Sequence, residues 1–522
     1  MGGPRCSTSS IGTCRADAGP MAPEGRFHLL ESTIDDVHAA MRAGQISCKQ
    51  LIQASLDRVE AYDQRGPALN AIQNLNPTAL VEAERLDAAF ASSGPVGPLH
   101  GIPVVVKDQV QTNNMPTTYG SALFKTFVPT WNATVVERLK AAGAVIIGKG
   151  NMGEFAAGFA GSAFGVCRNP FDPTRHGSGS SGGVGIAVSA NYCTVGIAED
   201  TLGSTRGPSS VSGVVGLRPT TPLVSRYGMM PANPTRDTLG PVARTVRDAA
   251  LLLDVIAGYD PNDPFTASAY GNVPETYTSF LVADGLKGAR LGVIREPMGE
   301  DVDPTSDDFK HVRALIDRAL ADMADGGAEI VDPAAVPGLL DLLKQTAGNF
   351  EAEAATERYL ALHPNAPVKT LLEIVLSTEV LPSRRIQIAR NLGHTTDEPG
   401  FARHLAVREE LRQAVYQTMA DHRLDALVYA TFDHEATPIP EDILTSTKNA
   451  GQRGSNRTLS TMIGFPALTV PAGYSIHGMP IGLELLGRPW RESLLFKLAY
   501  AYELRTHHRK PPPTTPAIAG EP

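Results

Sequence analysis

Residues 177–206 read GSGSSGGVGIAVSANYCTVGIAEDTLGSTR. This stretch begins and ends with loops that are rich in glycine and serine, and Ser180 lies 24 positions before Ser204. Between the loops, residues 184–190 are small and apolar, which is typical of a buried helix, and residues 193–197 suit a buried strand. The order of loop, helix, strand and loop predicts a buried unit of an α/β fold.

The same alternation of helix and strand patterns extends through most of the chain. Helical spacing of apolar residues occurs at 31–62, 78–92, 132–142 and 491–506, and short apolar runs that suit strands occur at 102–107, 144–148, 426–429, 466–471 and 481–486. Runs of Val and Ile that alternate with helices indicate a mixed, mostly parallel, twisted sheet with helices on both faces. We see no linker or repeat between about residues 90 and 505, so the pattern predicts one large domain.

Composition divides the chain of 522 residues into three parts. Residues 1–24 are rich in Gly, Pro, Ser and Ala without the apolar core of a secretory signal, and they predict a disordered tail. We expect a single domain at 25–509, in which the more helical and charged region at about 300–425 shapes the substrate site. The Pro-rich end at 510–522 predicts a second tail.

Charge, hydropathy and cysteine usage exclude several classes of function. The net charge of −9 argues against a nucleic-acid binder, which usually carries a basic field. No stretch approaches the roughly 20 apolar residues of a membrane span. The five cysteines are odd in number and irregularly spaced, so they indicate neither a disulfide framework nor a zinc site: Cys6, Cys14, Cys48, Cys167 and Cys193. We therefore expect a cytoplasmic protein without metal or cofactor.

A lysine at the end of an apolar strand could supply the base that a serine nucleophile needs. Lys107 directly follows three valines, at 104–106. Burial disfavours a charged ammonium group and can lower the pKa of a lysine by several units. A neutral Lys107 could then take a proton from Ser204 through an intermediate hydroxyl. The glycines beside the serines allow backbone N–H groups to converge on a developing oxyanion.

Three short motifs match other functions only in part. Residues 148–153 fit the dinucleotide-binding pattern G-x-G-x-x-G, but Asp172, at the position of the expected acid, lies between prolines and cannot end a strand. Residues 143–150 nearly fit a phosphate-binding loop but lack its Ser or Thr. Residues 179–183 fit the G-x-S-x-G nucleophile elbow, although no buried strand precedes them.

Several longer motifs occur in an order that resembles the amidase signature family. Besides the two serine loops, the matching segments are GIPVVVKD (101–108), GKGNMGEFA (148–156), NPFDPTR (169–175), GVVGLRPT (213–220), TRDTLGP (235–241), GFPALTVPAG (464–473) and MPIGLELLGRP (479–489). The resemblance covers residues 28 to 508, and it implies hydrolysis of an amide-type C–N bond by a Ser-Ser-Lys apparatus.

The resemblance implies a role for each matching residue. Ser204 would be the nucleophile, Ser180, in a cis peptide linkage, the proton bridge, and Lys107 the base. The backbone N–H groups of four consecutive residues would form the oxyanion hole: Thr201, Leu202, Gly203 and Ser204. Three further side chains would support the site from behind: Ser181, Asp200 and Arg206.

The chain departs from the family pattern at Leu202, where the family usually has glycine, and at Ser178, where the first serine motif usually begins with glycine. Leu202 could fill space in the core, or it could narrow the substrate site. The substrate pocket is expected from segments 119–130, 152–166 and 340–450.

Three functions and several substrate classes remain open. The chain looks like a stand-alone amidase that acts on a small-molecule carboxylic amide, anilide, carbamate or urea-like substrate. The alternatives are the glutaminase subunit of a tRNA-dependent amidotransferase and a non-catalytic binding scaffold. The glutaminase branch usually has Ser-Ser-Leu-Asp-Gln where this chain reads Thr235-Arg-Asp-Thr, and Asp at Gly153. A homodimer also remains open.

Overall fold

A computed structural model describes residues 26–299, 301–346, 348–448 and 451–522. The predicted N-terminal tail at 1–24 lies outside these residues. The described helices, in chain order, are α1 (Ile34–Arg42), α2 (Cys48–Tyr62), α3 (Ala79–Ser93), α4 (Thr134–Ala141), α5 (Gly182–Ser189), α6 (Arg206–Val211), α7 (Val246–Ile256), α8 (Asp307–Asp325), α9 (Leu339–Gln345), α10 (Ala352–Ala361), α11 (Leu371–Leu376), α12 (Pro382–Ala389), α13 (Pro399–Asp421), α14 (Thr458–Ile463) and α15 (Glu492–Thr506). In the described part of the chain, no helix is long and apolar enough to cross a bilayer.

Eleven of the described strands form one large sheet. The strands are β1 (Ile72–Leu75), β2 (Pro103–Lys107), β3 (Val145–Gly150), β4 (Ala160–Gly161), β5 (Gly165–Val166), β6 (Val195–Asp200), β7 (Val215–Arg218), β8 (Thr238–Ala243), β9 (Arg290–Val293), β10 (Glu329–Val331), β11 (Ala426–Ala430), β12 (Ala467–Tyr474) and β13 (Pro480–Leu486). The order in the sheet is β1-β3-β2-β6-β8-β7-β12-β13-β11-β9-β10, while β4 and β5 form a separate pair. The large mixed sheet, flanked by helices on both faces within a single domain, confirms the predicted α/β class.

The direction of the strands differs from the prediction. Four of the ten neighbouring pairs in the large sheet are parallel and six are antiparallel, so the sheet is not mostly parallel. The antiparallel pairs occupy the centre, where β12 and β13 are joined by a short turn, as antiparallel strands can be. These central strands are covered on both faces, and their continuous apolar runs are therefore the same as those of parallel strands.

The unit that opened the sequence folds as its pattern predicted. All eight residues of α5 are buried, as are all six of β6. The helix lies against β6 and β2 because its glycines and other small residues allow a close approach to the sheet. This packing fixes the first serine loop at one end of α5 and the second at the end of β6.

The C-terminal segment, residues 510–522, has no helix or strand, but it does not hang free as the predicted tail would. It lies along α2, where the fully buried guanidinium of Arg58 donates to the carbonyl oxygen of Thr515 at 2.8 Å. Arg58 also forms an ion pair of 2.9 Å with Glu521. Proline removes N–H donors but leaves carbonyl acceptors, so a Pro-rich segment can still be held through its oxygens.

Candidate active site

The candidate base and the second serine loop follow neighbouring parallel strands. β2 ends at Lys107, and β6 ends at Asp200, four residues before Ser204. The two strands are parallel, with Val106 opposite Ile197. Residues that follow parallel strands gather at the same edge of a sheet, the usual location of a site in α/β proteins.

The first contact predicted for the site is present. The fully buried Lys107 donates from Nζ to Ser180 Oγ at 2.7 Å. The Gly179–Ser180 peptide bond is cis, as the resemblance implied. A side chain at Gly179 would overlap the carbonyl oxygen of Gly158, so glycine permits this close approach of two backbone segments. Burial lowers the pKa of Lys107, although the charge of Glu199 opposes this effect, and a lowered pKa favours the neutral amine.

Ser204 and Ser181 make different contacts. Ser204 is 7% exposed, and within the described residues its hydroxyl forms no hydrogen bond, so none links it to Ser180. Ser181 instead donates from its hydroxyl to the main-chain oxygen of Glu199 at 3.0 Å. Ser181 thus holds the end of β6, while the Ser204 hydroxyl is unengaged.

The sequence analysis missed Glu199, which faces the candidate base. Glu199 Oε2 lies 2.7 Å from Lys107 Nζ, and both side chains are fully buried. An acidic residue at the end of a wholly apolar strand was the available signal, since a buried carboxylate needs a partner. The lysine therefore contacts a hydroxyl and a carboxylate at once.

A second buried acid, Asp237, is joined to this pair through a threonine. The hydroxyl of Thr201 lies 2.7 Å from Asp237 Oδ1 and also contacts the carboxylate of Glu199. Burial, followed by the charge of Glu199, raises the pKa of Asp237 to about 7. A single hydroxyl hydrogen cannot serve two carboxylates, so the contacts fit a protonated Asp237.

Asp200 organises the second serine loop together with two arginines. Its carboxylate accepts from Gly203 N at 2.7 Å and from Thr205 N at 3.1 Å. Arg206 Nε and Arg218 Nη1 lie 3.2 and 3.1 Å from its oxygens. Burial alone would raise the pKa of Asp200, but the two guanidinium groups hold it below its ordinary value. Asp200 and Arg206 thus lie where the resemblance placed them, whereas Arg218, in GVVGLRPT, was given no role from sequence.

The structure corrects one member of the expected oxyanion hole. The N–H of Gly203 is occupied by Asp200, because that carboxylate turns back over the loop, and it is not available to a substrate. The N–H groups of Thr201, Leu202 and Ser204 have no partner among the described residues. Three of the four expected donors therefore remain open.

A cavity of about 670 Å³ opens beside this loop. Thr201 and Leu202 form part of its wall, and the side chain of Leu202 is 44% exposed, so it does not fill the core. The cavity reaches all three segments expected from sequence and also the segments around Pro231 and Met462. Its lining residues include Tyr119, Phe155, Ala156, Leu343, Asn349, Phe350, Thr356, Leu371, Gln387, Ile388 and Asn391.

The alternative motifs do not form the structures that they require. Residues 145–150 are strand β3, so neither glycine pattern there forms a phosphate-binding loop. No strand runs directly into residues 179–183, as a nucleophile elbow requires; α5 begins inside this segment, at Gly182. Among the described residues, no group of three or more His, Cys, Asp or Glu side chains could hold a metal ion.

Comparison with known proteins shows the family. The family model for amidases matches residues 50–496. A subunit of the glutamyl-tRNA(Gln) amidotransferase from Cyanothece sp. is 34% identical over 510 residues, covering 92% of this chain and 99% of that protein. The chain belongs to the amidase family, and it is an amidohydrolase that acts on C–N bonds.

Solved structures of amidases share the whole fold. The peptide amidase from Stenotrophomonas maltophilia has a TM-score of 0.83 and 34% identity, with 92% of this chain and 98% of that one covered. An amidase family protein from Bacillus anthracis str. Ames has a TM-score of 0.81 and 32% identity, with 93% and 92% covered. The similarity thus extends over nearly all of each protein.

Proposed function

We propose that this chain is a stand-alone cytoplasmic amidase in which Ser204 is the nucleophile, Ser180 the proton bridge and Lys107 the base. The observation that carries this proposal is the buried contact of 2.7 Å between Lys107 Nζ and Ser180 Oγ, at the sheet edge where the Ser204 loop also lies. A serine is a weak nucleophile, and a neutral amine linked to it through a hydroxyl provides the base that it needs.

The proposed reaction has two stages. The Ser204 proton passes to Ser180 while the Ser180 proton passes to Lys107, and Ser204 Oγ attacks the amide carbon. The free N–H groups of Thr201, Leu202 and Ser204 stabilise the oxyanion. On collapse, the C–N bond breaks and the amine leaves with the proton returned through Ser180. Water then hydrolyses the acyl-enzyme with the same groups acting as base.

The cavity favours an amide with a large and partly apolar acyl group. Its volume of about 670 Å³ lies within the range of roughly 300–1,000 Å³ that is typical of sites for drug-sized ligands. Tyr119, Phe155 and Phe350 give it aromatic walls next to the exposed side chain of Leu202. Because a structural relative is a peptide amidase, we propose a primary amide on a peptide-like acyl group as the preferred substrate.

A glutaminase subunit is the second candidate, and the curated relatives favour it. Against it stand Gly153 and the sequence Thr235-Arg-Asp-Thr, which depart from the pattern of that branch, and a cavity far larger than one glutamine side chain fills. A non-catalytic scaffold would need neither a buried base nor open N–H donors beside the cavity.

The purified chain alone, assayed on a matched panel, tests the proposal. The panel contains a blocked dipeptide amide, butyramide, glutamine, a p-nitroanilide, a carbamate and a urea. We expect release of ammonia from the dipeptide amide with a higher kcat/KM than from glutamine. Turnover of glutamine alone, rising only when the partner proteins of an amidotransferase are added, would establish the glutaminase instead. A chain that turns over nothing on the panel would be a scaffold.

A further inference from the structure

One arginine, Arg457, links the two serine loops. It directly precedes α14, and its Nη1 donates to the main-chain oxygen of Gly203 at 2.7 Å and to that of Gly179 at 3.4 Å. Gly179 and Gly203 are the residues immediately before Ser180 and Ser204. One guanidinium nitrogen therefore touches both loops at the position next to a site serine.

The side chain of Arg457 is held from several sides. It is 9% exposed, and its Nε donates to Ser455 Oγ at 2.9 Å. The guanidinium carbon lies 4.4 Å from the ring centre of Phe432, which favours a cation over the ring face. Arg206 Nη2 donates to the main-chain oxygen of Arg457 at 2.8 Å. These contacts fix the direction in which Nη1 points.

Two glycines make room for this arginine. Gly203 has a φ of +96°, and a side chain there would overlap the aliphatic part of Arg457. A side chain at Gly207, in α6, would overlap the guanidinium itself. Glycine alone permits the backbone to come so close to the arginine. The position of Arg457 and the glycine pattern of the second loop thus fit each other.

The carbonyl that Arg457 binds belongs to the same peptide unit as the N–H of Ser204. In a planar trans peptide, C=O and N–H point in opposite directions. Because the Gly203 oxygen faces Arg457, the Ser204 N–H faces away from it, and this N–H has no partner among the described residues. A peptide plane turned the other way would present an oxygen, which repels an oxyanion.

We propose that Arg457 is a positioning residue that orients the Gly203–Ser204 peptide, so that the Ser204 N–H serves as an oxyanion donor, and that holds this loop against the loop of Ser180. This inference rests on the proposed function, since it takes Ser204 as the nucleophile. It assigns to Arg457 no contact with the substrate. Loss of Arg457 should therefore weaken binding of the transition state and leave binding of the ground state unchanged.

Two inhibitors of the same peptide sequence separate these effects. A peptide aldehyde forms a tetrahedral adduct with a nucleophilic serine and uses the oxyanion donors, whereas the corresponding alcohol binds without an adduct. The variants are Arg457→Met, Arg457→Lys and a control, Arg488→Met. Arg488 also lies over an aromatic ring, that of Tyr416, at 5.5 Å, but is hydrogen-bonded to neither serine loop.

Direct loss of one oxyanion donor costs about 10²–10³ in rate, and misorientation of one should cost about 10- to 100-fold. We expect Arg457→Met to lower kcat/KM and the affinity for the aldehyde by the same factor, to leave the affinity for the alcohol unchanged, and to act mainly on kcat. Arg457→Lys should lie between it and the wild type. Arg488→Met should change neither inhibitor constant.

Equal weakening of both inhibitors would make Arg457 a substrate-binding residue, and unchanged aldehyde affinity would remove its link to the oxyanion; either result overturns the inference. If Arg457→Met does not fold, Arg457→Lys decides by the same comparison. Failure of the proposed function looks different. In that case the wild type would bind aldehyde and alcohol equally, or Ser204→Ala would retain activity.

Discussion

Lys107 Nζ lies 2.7 Å from the carboxylate of Glu199, and neither side chain is exposed to solvent. Burial lowers the pKa of this lysine, and the charge of Glu199 raises it part of the way back. Asp200 and Asp237 act in the same direction as Glu199 from a greater distance. The candidate base is thus held closer to its protonated form than burial alone would leave it.

The pair predicts the direction in which activity changes with pH. If the neutral amine of Lys107 is the base, kcat/KM rises with pH through the pKa of this lysine in the free enzyme. Glu199→Gln removes the carboxylate that favours the ammonium form, so the pKa falls. An opposite charge at this range shifts a pKa by about 1–3 units, and the rising limb should move to lower pH by about that amount.

The pH profile of kcat/KM for wild type and Glu199→Gln makes this measurement. Glu84→Gln is the matched control, since it removes the acid of the surface Lys49–Glu84 pair, in which both side chains are 52% exposed. The control should leave the profile in place. A limb that stays fixed in Glu199→Gln, or moves to higher pH, would show that the titration of Lys107 does not govern the rate.

Removal of the lysine itself should affect amides more than activated esters. Lys107→Met alone would leave Glu199 buried without a partner, at a cost of about 3–5 kcal/mol, so the double variant with Glu199→Gln is preferable. It should lose several orders of magnitude in kcat/KM on an amide. On a matched p-nitrophenyl ester, whose leaving group needs no proton, it should lose less. Equal losses on both substrates would give Lys107 a purely structural role.

Leu202 should influence the choice of acyl group. Its side chain is 44% exposed and lines the cavity next to the free N–H donors. Leu202→Gly should change the ranking of kcat/KM among acyl groups several-fold, with a stability cost of only about 0.5–1 kcal/mol for the added backbone freedom. Leu444→Gly, at a leucine that is 43% exposed and outside the cavity, is the control. An unchanged ranking would mean that the acyl group does not reach Leu202.

Local patterns predicted the elements around the site. The run of valines before Lys107 and the small residues of 184–190 have one plausible structure each, because burial on all sides requires an unbroken apolar run. The strand β8 was missed, since the sequence Thr238–Ala243 contains Pro241, and proline inside a strand indicates a break. In the structure Pro241 lies opposite Ile197 within the sheet.

The contacts that complete the site join distant parts of the chain. Glu199 is 92 positions from Lys107, and Arg457 is 254 positions from Gly203. No periodicity connects such residues, because the order of strands in the sheet decides which loops meet. Ser180, Ser204 and Lys107 could be named only because their motifs resemble those of a family, whereas Glu199, Asp237 and Arg457 needed the fold.

The central claim is that Ser204 forms the covalent bond to the substrate, and the turnover of a peptide amide by Ser204→Ala tests it most directly. Loss of a catalytic serine costs on the order of 10⁶ in rate in a serine protease. We predict that Ser204→Ala folds and retains no measurable turnover, while Ser181→Ala, which removes only a hydroxyl that bonds to the end of β6, keeps a large part of the activity. More than a few per cent of wild-type turnover in Ser204→Ala would contradict the account.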